Sequence, residues 1–268
     1  MKHFVFMLTV FFVFSTTGQV FAENSLDKAA LKIETGILNI LNGLGNTLSL
    51  VAKEIGRTGP DKETEIRKLL QKNCNAGRPY VIDSTFIDSK GIMKIIEPAK
   101  YRRYEGSDIS KQEAVMKMLK TKKPRMGNVF LSVEGIKSID IEYPVFSKEN
   151  HFLGSVSMLV MPDGLIRSVA APIEKDMGVK CMVMQKDGLI LYDTDTEQIG
   201  LNTFQDPLFK DHPALIALAK RMVKEKKGTG FYNFQVRGTE KVVRNRAVWK
   251  TAHFFQNDWI VVAYREVK

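Results

Sequence analysis

The chain carries two cysteines in 268 residues, Cys74 and Cys181, too few for the disulfide framework of a small secreted scaffold. They are either bridged or lone thiols in separate cores. Histidine is scarce as well: His3 stands near the N-terminus, and His151, His212 and His253 are isolated. No Cys-x-x-Cys and no close His pair offers metal ligands. No glycine-rich loop follows a strand to cradle phosphate, and no Gly-x-Ser-x-Gly elbow presents a nucleophile. Nothing marks an enzyme, and no cofactor is expected. Pro-, Ser- and Gln-rich tracts are missing too, so the chain should fold throughout.

Long apolar runs are also rare. The longest, Phe4–Phe14, has eleven residues, against about 20 for a membrane span. Lys2 and His3 precede it, and Val20-Phe21-Ala22 follow before Glu23. That order reads as a secretory signal peptide over residues 1–22, with an uncleaved N-terminal anchor as the alternative. No lipoprotein cysteine follows the run. A periplasmic or secreted destination is expected. The last apolar run, Trp259–Tyr264, is only strand-length, so neither a second span nor a transmitter domain is expected.

The formal charge is +10. The bases are scattered, in small groups at Lys120–Arg125, Lys220–Lys227 and Lys241–Arg246, with no aromatic-glycine RNA signature. They read as solvated surface rather than a nucleic-acid footprint. The acidic run Asp193-Thr-Asp195-Thr-Glu197 lacks the glycine and terminal glutamate of an EF-hand loop and reads as a solvated turn.

What the sequence does have is a seam. Leu26, Ala30, Ile33, Ile37, Leu41, Leu44, Leu48, Val51 and Ile55 alternate steps of four and three, the 3.5-residue period of a long helix with one apolar stripe. Residues 23–57 should form it, about 45 Å in length. Gly36, Gly43 and Gly45 weaken it and mark a kink or a close backbone approach. The stripe is open to pairing with another chain, as a homodimer, or to packing on the chain's own domains.

After Arg57-Thr-Gly-Pro60 one pattern runs twice. Residues 58–161 read as a helix (Lys62–Cys74), two strands (Tyr80–Ile87, Ile92–Ile96), a helix (Lys111–Lys120) and three strands (Asn128–Val133, Ile136–Phe146, Phe152–Met161). Residues 162–177 read as a connector with a short helix over Pro162–Pro172. Residues 178–268 repeat two strands (Gly178–Gln185, Leu189–Tyr192), a helix (Pro213–Lys226) and three strands (Gly230–Val236, Lys241–Lys250, Trp259–Arg265). The fold class is α+β: a long N-terminal helix, then two PAS-like modules, each a five-stranded antiparallel sheet with helices on one face.

In this order, several short motifs resemble the double Cache family of extracytoplasmic sensor modules. In the first unit they are Ile96-Glu-Pro98, Glu105-Gly-Ser-Asp-Ile109, Lys123-Pro124 and Ile141-Glu-Tyr-Pro-Val-Phe146. In the second they are Asp187-Gly-Leu-Ile-Leu-Tyr-Asp193, Ile199-Gly-Leu-Asn202, Gly230-Phe-Tyr232, Trp249 and Trp259-Ile-Val-Val-Ala263. The resemblance implies a small-molecule sensor with a membrane-distal and a membrane-proximal module. The ligand would sit in the distal one, and a membrane-bound receptor or sensor kinase would be the partner.

Amino-acid-binding members of that family carry an Arg-x-Trp-Tyr motif and a later Tyr-x-Asp. Here Tyr101-Arg102-Arg103-Tyr104 has no Trp, and Phe130-Leu131-Ser132 stands where the Asp is sought. Two adjacent arginines favour an anionic ligand, because guanidinium pairs with carboxylate or phosphate. Tyr101, Arg102 and Arg103 are the expected contacts. On the strand after them, alternation puts Tyr143 with Ile139 and Ile141 on the core face, where it should line the pocket, and Asp140 on the outer face. Tyr192, Tyr232 and Trp249 read as plain core of the second module. The alternative function is a structural or assembly protein that uses a non-binding scaffold and the N-terminal helix.

Overall fold

The computed structural model describes residues 16–235 and 239–267, with side chains from Ser25 onward. Most of the segment read as a signal peptide lies outside those residues.

A helix α1 (Thr16–Thr58) leads the chain. The first unit follows as α2 (Glu63–Ala76), β1 (Val81–Asp88), β2 (Met93–Glu97), a 3-10 turn (Ala99–Tyr104), α3 (Glu113–Thr121), β3 (Arg125–Met126), β4 (Phe130–Leu131), β5 (Lys137–Phe146) and β6 (Phe152–Val160). A connecting helix α4 (Pro162–Met177) leads to β7 (Lys180–Gln185), β8 (Ile190–Asp193), α5 (Pro207–Lys210), α6 (Pro213–Lys224), β9 (Lys227–Gln235), β10 (Val242–Phe254) and β11 (Asn257–Val267). The first sheet runs β2-β1-β6-β5-β3, with β4 also on β5; the second runs β8-β7-β11-β10-β9. Every pairing is antiparallel.

This is the expected α+β architecture, with three differences, the last being that helices pack on both faces of each sheet and not on one. The edge beside β5 is broken into two short strands: Arg125 and Met126 pair with Glu142 and Ile141, and Phe130 and Leu131 with Ser138 and Lys137. The chain between them leaves the sheet and forms part of a cavity wall. The helix α4 also runs past Pro172, and ends where Gly178 adopts a left-handed conformation and donates its N–H to the Glu174 carbonyl. Proline there removes one backbone donor, while Leu165, Ile166 and Ala170 stay packed in the main core.

The stripe on α1 is spent inside the molecule. All nine of its residues, Leu26 to Ile55, are no more than 6% exposed, and most join one core with Ile139 and Ile141 of the first sheet and Val183 and Val261 of the second. Close approach explains two glycines on this helix. A Cβ on Gly36 would come within 2.4 Å of Val169 on α4, and one on Gly56 within 2.0 Å of the Phe146 carbonyl oxygen. Cys74 and Cys181 are free and buried in different units.

The helices α1, α2 and α4 gather on one face of the sheets. The shorter α3 and α6 cover part of the other face, where Val115 shares a cluster with Ile87 and Ile96, and Leu218 one with Met184 and Ile260. Each sheet is therefore covered on both sides. That sets where the polar residues of the strands end up.

Candidate ligand site

Along β5 the side chains alternate. Ile139, Ile141 and Tyr143 point to α1, and Asp140 and Glu142 to the opposite face. The register carries this alternation across the sheet. Glu142 stands opposite Ser157, Asp140 opposite Leu159, and Asp83 of β1 also opposite Leu159. Arg125 on the edge strand pairs with Glu142. Three carboxyl groups and one guanidinium thus share the face away from α1, and all four residues are at least 94% buried.

Their hydrogen bonding is incomplete. Asp83 Oδ1 accepts from the Thr85 hydroxyl at 3.3 Å, and Glu142 Oε1 from the Ser155 hydroxyl at 2.5 Å. Asp83 Oδ2, Asp140 Oδ1, Glu142 Oε2 and the Nε of Arg125 are buried without a partner, as is Oε1 of Glu134 in the loop above. Burial, the Glu142 charge and the Asp83 charge push the Asp140 carboxyl well above the usual range, against the pull of Arg125. Burial and Glu134 do the same to Asp83. Burial lifts Glu142 to about 7, although Ser155 and Arg125 hold it down. An unpaired buried carboxylate is costly, so this floor is arranged for a cation or for protons.

A cavity of about 30 Å³ lies over Asp83, Asp140, Thr85 and Ser157, bordered by Phe130, Ser132 and Glu134 of the loop above. That is room for one or two waters. Beside it, sharing Gln112 and Phe130, is a wider cavity of about 280 Å³ lined by Arg125, Lys117, Asn128 and Asn257. Glu113 also lines this wider cavity and pairs with Lys117, so Arg125 is the cation that adjoins the acidic floor.

The four residues singled out from the sequence are not brought together here. Arg102 donates from Nε (3.0 Å) and Nη2 (2.5 Å) to Oε1 of Glu97, which also meets Arg67 of α2. Its charge is already answered. Arg103 is exposed and lies over the Tyr104 ring, donating to its hydroxyl at 3.1 Å. Tyr101 packs against the apolar cluster that includes Ile87, Met93 and Ile109 of the smaller cavity, but does not itself line that cavity. Tyr143 sits on the α1 face, its ring 5.7 Å from Phe255. The alternation on β5 was therefore read correctly, but the cavity lies on the Asp140 face, because that face is also covered. Asp83, Glu134, Glu142 and Arg125 were not singled out from the sequence, and Asp140 was placed only on the outer face of β5. The available signal was acidic residues inside β-branched strands, at Asp83 between Ile82 and Phe86 and at Asp140 between Ile139 and Ile141.

In the second unit Tyr192 and Trp249 are core, at 1% and 0% exposure. Tyr232 instead lines a cavity with Asp193, which is buried rather than solvated.

Residues 39–162 match the family model described as HK/GC/Chemotaxis protein-like, sensor domain. An extracellular ligand-binding receptor from Desulfohalobium retbaense is 24% identical at a TM-score of 0.74, over 89% of this chain; the chain spans 40% of that structure's length. The ligand-binding domain of the Pseudomonas aeruginosa amino acid chemoreceptor PctC, in complex with GABA, is 14% identical at 0.65, over 91% of this chain and 99% of that one. That of the Pseudomonas fluorescens chemoreceptor CtaA, with L-serine, is 15% identical at 0.64, over 93% and 97%. No curated protein matches the chain. The chain thus shares its fold with the extracellular ligand-binding domains of chemoreceptors, and residues 39–162 resemble a sensor domain of that type. The molecule has the double Cache fold that its motifs resemble.

Proposed function

We propose that the first sheet binds a small amine-bearing metabolite, its ammonium on Asp83 and Asp140 and its opposite end toward Arg125. The observation that carries this reading is the set of buried carboxylate oxygens without partners, Asp83 Oδ2, Asp140 Oδ1 and Glu134 Oε1. An ammonium brings three donors to such a floor. Arg125 with its free Nε, beside the wider cavity, suits a carboxylate at the far end of the same molecule. The structures of similar fold with GABA and L-serine support an amino-carboxylate. An anion held by Arg102 and Arg103, as the sequence alone suggested, would meet one arginine already paired and another in solvent.

Binding requires the loop over the floor to move, because about 30 Å³ does not hold such a ligand. That loop touches the second unit, which supplies a route for relaying occupancy to a membrane-bound receptor or kinase. The chain would do this outside the cytoplasm. Among the described residues no helix is long and apolar enough to cross a membrane. A homodimer through α1 would meet on its outer face, where Leu31 and Leu50 are exposed. The test is a thermal-shift panel of amines, amino acids and carboxylates. Ligand at a hundred times Kd stabilises by about 2.7 kcal/mol, and amines should give the shifts. If no compound shifts the melt, the small volume over the floor favours the scaffold reading instead.

A further inference from the structure

We propose that the second sheet carries an independent binding site for a small primary amine with an aryl or branched-alkyl body. The site lies on the face of the sheet away from α1, under α5 and α6, and is a cavity of about 340 Å³. Cores are close-packed, with few voids larger than a water. A cavity of roughly 150 Å³ takes a benzene, so this one has room for a molecule about twice that size. The corresponding face of the first sheet leaves only about 30 Å³ over its floor.

The walls and the end differ in character. Phe209, Leu215, Met222 and Val262 form apolar walls. At one end Asp193, 3% exposed, accepts from the Tyr264 hydroxyl at 3.1 Å and the Asp195 N–H at 2.8 Å, both at Oδ1. Next to it the Tyr232 ring stands 6.3 Å from the Tyr264 ring, and neither the Tyr232 hydroxyl nor the Asn245 carboxamide makes a hydrogen bond among the described residues. Both residues line the cavity, so beside the carboxylate their polar groups are placed to accept from a donor that enters it. Lys180 and Glu266 stand at the rim, where Glu266 pairs with Lys241 at 3.5 Å. The buried end is left with one acidic charge and aromatic faces, which favour a cation over an anion. Burial, with Asp195 and Glu174 nearby, lifts the Asp193 carboxyl to about 7, as a site lacking its cation should.

Isothermal titration calorimetry of the full chain tests this with 2-phenylethylamine and isoamylamine, against 2-phenylethanol and phenylacetate. The amines should bind saturably, with the alcohol at least about tenfold weaker and the acid silent. Asp193→Asn should weaken the amines by about tenfold or more, and Tyr232→Phe, which removes only a hydroxyl, by roughly two- to tenfold. Asp140→Asn in the first sheet should leave this binding unchanged, which separates the two sites. No saturable binding of either amine at millimolar concentration would overturn the proposal. So would an alcohol binding as tightly as the amine, or amine binding that Asp140→Asn abolishes and Tyr232→Phe leaves intact.

Discussion

The backbone N–H of Val129 donates a 2.8 Å hydrogen bond to Oε1 of Gln185, tying the loop over the acidic floor to the first strand of the second sheet. A second tie lies close by: the Asn257 side chain donates to the Met126 carbonyl at 2.8 Å. Loop residues Phe130, Ser132 and Glu134 line the smaller cavity. Anything that lifts this loop pulls on β7 and on the β10–β11 turn. Hydrogen exchange at residues 255–257 should therefore change when ligand fills the first site. The change should be diminished in Gln185→Ala, a residue that lines neither cavity, with binding retained. Unaltered exchange in the wild type would remove this route.

Stability should depend on pH in the direction opposite to ordinary acid unfolding. Glu142 and Asp193 sit at about 7 in the folded protein, above their ordinary values near 4.5 and 3.8. The folded state therefore binds more protons than the unfolded state between those limits, and stability falls as pH rises through them. The melting temperature of ligand-free protein should be higher at pH 5 than at pH 7.5. Glu142→Gln should flatten that slope, and a melt that rises with pH over this window would contradict the burial argument.

The seam on α1 is internal, so its residues should matter for stability and not for assembly. Leu41→Ala should cost about 2–5 kcal/mol in denaturant unfolding. Leu31→Ser, at a position 48% exposed, should stay within about 0.5 kcal/mol. Sedimentation of Leu41→Ala should match the wild type. Loss of an oligomer in Leu41→Ala at unchanged stability would mean the stripe pairs between chains.

Export should remove residues 1–22. Intact mass of the protein recovered outside the cytoplasm should begin at Glu23; a full-length mass in the membrane fraction would establish an anchor.

Much of the architecture was legible because it rests on periodicity. The four-three stripe from Leu26 to Ile55 and the alternation along Ile139–Val145 are local patterns, and both appear in the structure. The site was less legible. Which face of β5 holds the cavity depends on α3 and the Phe130–Glu134 loop packing there, a tertiary fact that alternation does not contain. Arg102 looked available because its partner Glu97 is set by the turn after β2 and by Arg67 on a distant helix. Asp193 read as a turn residue because its burial comes from α5 and α6 and from Tyr264, 71 positions away. The edge strand Arg125–Met126 is two residues long and follows Pro124, too short to show a period.

The most direct test of the acidic floor is calorimetric titration of the best amino compound from the panel into wild type, Asp83→Asn, Asp140→Asn and Arg102→Ala. Each aspartate change removes a charge-assisted contact and should raise Kd by about tenfold or more. Arg102→Ala should change it by roughly twofold at most. A ligand that is a carboxylate without an amine, weakened by Arg102→Ala and indifferent to Asp83→Asn and Asp140→Asn, would contradict the account.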